Sequence, residues 1–175
     1  MTAESLWALC LWLFLDGASF AFFTTPLLLQ YGKLHPPWAV AFAGGAASAA
    51  GSVLQLLLLR WALGSGQPWM RRLAPSQEKL ADALRRFPSA SFLALLLARA
   101  TPLPDAPLKL VAAAGGYPAP LYAVAIYLGA LPYYFALALL GQKLRIPTWV
   151  LLAATAAILV GILLDQWRRR VRASR

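Results

Sequence analysis

Apolar residues fall in long runs along this chain, separated by short polar segments, and run length carries most of the structural signal. A helix needs about 20 mostly apolar residues to cross the hydrocarbon layer of a bilayer. Four stretches approach or exceed that: residues 6–22, 38–63, 121–140 and 149–164, the last slightly short. Two others do not. Thr24, Thr25 and Pro26 interrupt the first run and leave residues 24–32 as an element that cannot cross alone. Residues 89–116 hold two short apolar limbs around a turn containing Arg99, Pro102, Pro104, Asp105, Pro107 and Lys109, and they end in Gly115-Gly116. Such a limb–turn–limb pattern reads as a re-entrant hairpin, because broken backbone at membrane depth survives only where protein covers it or water hydrates it. Between the runs, residues 64–88 are polar, with one helical signal. Ser76 can cap a helix that places Leu80, Leu84 and Phe87 on one face, as in a helix lying on a membrane surface.

These elements predict an all-α membrane protein, one integral membrane domain over residues 1–175. The broken elements each precede a full span and enter from opposite sides. The expected architecture is therefore a helical bundle with two oppositely oriented re-entrant elements in an inverted-repeat-like arrangement. Four spans without internal symmetry are the plainer alternative. Gly44, Ser48 and Ser52 lie four apart in the 38–63 span and would let another helix approach closely.

Composition strengthens the membrane reading. The chain is 61% hydrophobic and 13% charged, against about 45–50% and about 25% in soluble domains. A chain of 175 residues cannot hide that much apolar surface in its own core.

The net charge of +10 adds orientation. Arg168, Arg169, Arg170, Arg172 and Arg175 form a basic tail over residues 165–175, and Arg71, Arg72, Lys79, Arg85 and Arg86 lie in the 64–88 loop. Both clusters fall on one side of the predicted topology, so the positive-inside rule puts both termini in the cytoplasm. Lys33, Lys143 and Arg145 are the contrary charges. No basic residue precedes the first span and Asp16 interrupts it, so that span is expected to be retained rather than cleaved. Nucleic acid is not an expected partner, since the basic residues lack the interleaved aromatic platform that single strands need.

Candidate chemistry is sparse. Cys10 and His35 are the only residues of their kinds, which leaves no disulfide, thiolate metal site or Ser/His/Asp set to expect. No enzyme activity, metal or cofactor is anticipated. Arg99 is the foremost candidate, because a guanidinium near bilayer depth must face protein or a wet cavity, and its planar fork suits a phosphate. A structural role, pairing with Asp105 to hold the turn, stands beside that reading. Asp16 is an isolated acid within an apolar run, a functional candidate by default. Pro26, Pro102, Pro104 and Pro107 shape broken backbone. Tyr133, Tyr134 and the tryptophans read as interface or packing residues.

Several of these pieces, in order over residues 20–141, resemble the DedA family, also called SNARE-associated or VTT-domain membrane proteins. They are Gly51-Ser52 followed by Arg60 and Gly64; the basic 77–87 segment; Arg99-x-x-Pro102-x-Pro104 through Gly116; and the span from Tyr122 past Gly129 to Gly141. The Pro102-x-Pro104 form is closest to the Tvp38-like branch. Thr25 and Ser52 stand where family members often carry acids, and Asp105 where DedA proteins often carry a second arginine. The resemblance implies a protein that moves or scrambles phospholipids or lipid-linked carriers across a bilayer, the cytoplasmic membrane if bacterial. Arg99, Asp105, Lys109 and Asp16 would then serve the headgroup path, with Gly115 and Gly116 among the re-entrant backbone positions. The missing acids argue against proton coupling, whereas downhill scrambling does not need them. A non-catalytic membrane scaffold is the alternative, and association into homo-oligomers is compatible with either.

Overall fold

A computed structural model describes residues 5–19, 24–64, 91–101 and 106–144, together with Ala81 and Ala156. The surface helix expected near residues 77–87, the span expected over 149–164 and the basic tail lie outside the described residues. Those described contain no strand and six main helices: α1 (Leu6–Ala18), α2 (Thr24–Tyr31), α3 (Pro37–Gly64), α4 (Phe92–Ala100), α5 (Ala106–Ala114) and α6 (Ala119–Lys143).

Local chemistry sets the ends. The hydroxyls of Ser5 and Ser91 accept from the backbone amides of Ala8 and Ala94, at 3.3 and 3.1 Å, and cap α1 and α4. Prolines open the others, where a missing amide hydrogen costs nothing: Pro26 in the first turn of α2, Pro37 at the start of α3, Pro107 in α5, and Pro118 and Pro120 around the start of α6. Thr24, Thr25 and Pro26, which break the apolar run in the sequence, thus begin a new helix. The first predicted span is helical only to Ala18, where Ser19 turns extended and its amide returns to the Asp16 carbonyl at 3.3 Å. At 1.5 Å per residue the 13-residue α1 is about 20 Å long, short of the about 30 Å hydrocarbon layer. Among the described residues, only α3 (28 residues) and α6 (25 residues) are long and apolar enough to cross a membrane.

Two short helices precede one long helix, and the order then repeats. In each half the first short helix packs on its own long helix, α1 on α3 and α4 on α6. The second crosses over: α2 packs on α6 and α5 on α3, while α3 and α6 pack on each other.

The outer surface differs from that of a water-soluble domain, and the mainly apolar interior admits a few polar groups. The interior holds Asp16, Ser48, Ser52, Gln55 and Lys109 alongside small and aliphatic residues. The exterior shows Trp7 (76% exposed), Trp38, Phe42, Leu57, Trp61, Leu93 and Leu97. So many exposed large apolar side chains mark a surface that meets something other than water.

Candidate functional site

The polar interior is organised along one face of α3. Gly44, Ser48, Gly51, Ser52 and Gln55 share that face, and the lack of side-chain bulk brings α1 against it. A Cβ on Gly51 would overlap the Phe14 carbonyl and sit 2.9 Å from the Ala18 amide nitrogen. One on Gly17 would overlap the Ser48 carbonyl. The adjoining Asp16 is thereby carried to the middle of α3.

Arg99 approaches the same turn of α3 from the other half. It lies in the last turn of α4, where a cation complements the helix dipole. Gly129 of α6 gives α4 room to come close, since a Cβ there would be 2.5 Å from the Leu96 carbonyl oxygen and 2.9 Å from Arg99 Cβ. The half-buried arginine donates from Nη2 to the hydroxyls of Ser48 and Tyr134, both fully buried. Its guanidinium carbon stands 5.4 Å from the centroid of the Tyr134 ring, a cation–π arrangement.

The first broken element contributes two hydroxyls. Thr24 Oγ1 donates to Asp16 Oδ2 at 2.5 Å, across the break between α1 and α2. An acid in the last turn of a helix opposes the dipole, and this bond offsets part of that cost. Thr25 Oγ1 lies 3.0 Å from the Tyr133 hydroxyl on α6.

At the far end of α3, Arg60 donates from Nη2 to the carbonyls of Tyr117 and Ala112, the latter at 3.4 Å. It thereby holds the C-terminus of α5, where Gly116 takes φ +66° and the Tyr117 amide returns to the Ala112 carbonyl at 3.0 Å. That is a Schellman cap, and Gly116 fills the one position that requires a left-handed backbone. Gly115 and Gly116 therefore end a helix. Lys109 is buried within α5, which packs on α3.

Of the residues singled out in the sequence, Arg99 and Asp16 converge on the Ser48 turn, one from each half. Pro26 and Pro107 lie in helical first turns. Asp105, Pro102 and Pro104 lie outside the described residues, so the proposed Arg99–Asp105 pair does too. Two partners of Arg99 escaped the sequence reading. Tyr134 is buried in the core and not in an interfacial belt, and Ser48 is a ligand of the guanidinium as well as a packing residue. A tyrosine in the middle of a span was the available signal, because its hydroxyl needs a partner wherever the ring is buried.

The VTT domain family model matches residues 22–143, which takes in α2 to α6 and leaves α1, with Asp16, outside the match. No curated protein and no solved structure matches the chain.

Proposed function

The chain belongs to the VTT-domain family of membrane proteins, and from that membership we propose that it is a multi-pass bilayer protein that moves phospholipids or lipid-linked carriers from one leaflet to the other. Within the family, the Pro102-x-Pro104 form favours the Tvp38-like branch. In this reading α3 and α6 span the membrane, while α1–α2 and α4–α5 enter as re-entrant pairs from opposite faces. The large apolar side chains exposed on α1, α3, α4 and α6 support the lipid environment.

One observation carries the mechanism: the Arg99 guanidinium is drawn inside the bundle by Ser48 and Tyr134. Moving a headgroup across bare hydrocarbon is slow because its charge must leave water. A polar lane with a cation in it lowers that barrier. A phosphate offers the planar fork two parallel charge-assisted bonds, and such bonds are stronger than those to neutral hydroxyls. Phosphate oxygens can therefore replace the Ser48 and Tyr134 hydroxyls as acceptors. The hydroxyls recover the guanidinium once the lipid leaves, which gives the site a resting state and a route to release. The acyl chains stay in the surrounding bilayer, against the exposed apolar faces.

Purified protein in liposomes carrying labelled phospholipid tests this directly. A charge-assisted bond contributes about 1.5–3 kcal/mol, so Arg99→Ala is expected to slow transfer by about tenfold or more. Arg99→Lys keeps the charge, loses the fork and should fall between. Folded, inserted Arg99→Ala protein that transfers lipid at the wild-type rate would rule the mechanism out. A wild type that moves no lipid would leave the scaffold as the better reading.

A further inference from the structure

Beyond Ser48, the buried face of α3 carries two polar atoms with no hydrogen-bond partner: the hydroxyl oxygen of Ser52 and the amide oxygen Oε1 of Gln55. Neither is at the surface, since Ser52 is 0% and Gln55 5% exposed. They follow Ser48 by about 6 and about 10 Å along the helix axis, at 1.5 Å per residue. The hydroxyls that hold Arg99 and these two atoms therefore form one polar file. Lys109, though buried on the neighbouring α5, does not serve Oε1, which has no partner from any side.

The chemistry of the pair is specific. A carbonyl oxygen such as Gln55 Oε1 only accepts, so whatever satisfies it must bring a hydrogen-bond donor. Ser52 can accept as well. Buried polar groups left unsatisfied are rare in folded proteins, and each one calls for an explanation. Here the glycine-lined seam between α1 and α3 closes directly over Ser52, whose amide nitrogen would lie 3.1 Å from a Cβ on Gly17. The seam covers Ser52, and Gln55 lies one turn further along the same buried face of α3.

We propose that Ser52 and Gln55 form a headgroup-selecting subsite, occluded in this conformation, that accepts hydrogen bonds from the N–H or O–H groups of a lipid whose phosphate is held by Arg99. The proposal rests on the transfer reading above and adds the substrate class: headgroups with donors, such as ethanolamine or glycerol, over choline, whose quaternary nitrogen has none. A two-carbon headgroup extends about one helical turn from its phosphate, the rise that separates Ser48 from Ser52.

Methylation of the amine provides the test. Phosphatidylethanolamine, its monomethyl and dimethyl derivatives and phosphatidylcholine are all zwitterionic, and only the last lacks an N–H. Each would be labelled on an acyl chain and its transfer measured in liposomes holding the full protein. The wild type should move the first three about three- to tenfold faster than phosphatidylcholine, the effect of one buried hydrogen bond. Gln55→Met, combined with Ser52→Ala, should bring that ratio to about one. Because the ratio is taken within each preparation, a loss of folded protein does not alter it. A wild-type ratio of one, or a double variant that keeps the preference, would overturn the subsite and leave the transfer reading standing. Arg99→Ala should slow all four lipids, and its failure to slow them would overturn the Arg99 mechanism and the phosphate anchor of the subsite, whereas loss of the wild-type preference alone overturns only the subsite. Absence of transfer for every lipid would overturn both.

Discussion

Gly129 is the position where packing and the Arg99 site can be separated experimentally. A methyl group placed there would lie 2.5 Å from the Leu96 carbonyl oxygen and 2.9 Å from Arg99 Cβ. Carbon–oxygen contacts between close-packed helices are normally about 3.3–3.6 Å, so α4 must retreat by about 0.8 Å to relieve the first. The obstacle is backbone and cannot rotate away. Overpacking of this kind typically costs about 1–3 kcal/mol. The retreat also carries the guanidinium away from Ser48 and Tyr134, and a misplacement of about 1 Å can reduce a site's activity by as much as about a hundredfold. Gly129→Ala should therefore lower both the thermal midpoint in detergent and the lipid-transfer rate, with the second loss the larger. Gly45→Ala is the matched control on α3. The nearest atoms to its Cβ would be in the side chains of Tyr127 and Leu131, at 3.4 and 3.5 Å, an ordinary packing distance. Alanine is favoured over glycine in a helix by about 1 kcal/mol, so that variant should be as stable as wild type or more so, with transfer retained. Equal behaviour of the two variants would refute the close approach of α4 to α6, and with it the placement of Arg99.

Two further outcomes are expected. Arg60→Gln removes a cation from the carbonyls that end α5, and hydrogen bonds to charged groups contribute about 1.5–3 kcal/mol. The thermal midpoint should fall, Arg60→Lys should recover part of the loss, and an unchanged midpoint in Arg60→Gln would mean that the α5 cap stands without its clamp. The second concerns orientation. With five arginines in residues 165–175 and a basic 64–88 loop, a phosphatase active only outside the cytoplasm should be silent when fused after Arg175. Strong activity there would reverse the topology.

The sequence revealed the helices more readily than it revealed what joins them. Run length alone located α3 and α6, because a span's apolar content shows whatever packs against it. The long helix expected over 38–63 is Pro37–Gly64, and that over 121–140 is Ala119–Lys143. Both helices begin slightly ahead of the apolar runs, because Pro37 and Pro120 lie in first helical turns, where proline is at home. Arg99 was legible for a different reason, as a guanidinium in an apolar stretch must find protein or water. Its partners were not. Ser48 is 51 residues away and Tyr134 is 35, and no local pattern joins them. Ser48 sits among small residues whose spacing has a sufficient explanation in helix packing. The vacant hydrogen-bonding capacity of Ser52 and Gln55 was out of reach altogether, for it depends on what three-dimensional packing fails to supply.

Crossed connections give the two halves a common centre. α2 does not pack on the long helix that follows it but on α6, where Gly32 and Gly141 permit backbone contact with Ala138 and Leu29. α5 likewise packs on α3 and is capped there by Arg60. Backbone ends and polar side chains in a bilayer must be satisfied by protein, since lipid offers nothing. Each half here meets part of that demand with groups from the other, so neither short pair can move without disturbing the opposite long helix. Tyr133 and Tyr134 make the link most direct. These consecutive residues of α6, with ring centroids 6.2 Å apart, bind Thr25 of the first broken element and Arg99 of the second. A shift of α6 at that point changes both contacts together. Opening of the α1–α3 seam around Asp16 and Ser48 would thus be felt at Arg99 through one serine and one pair of tyrosines. That is the coupling a headgroup path requires if its two ends are not to open independently.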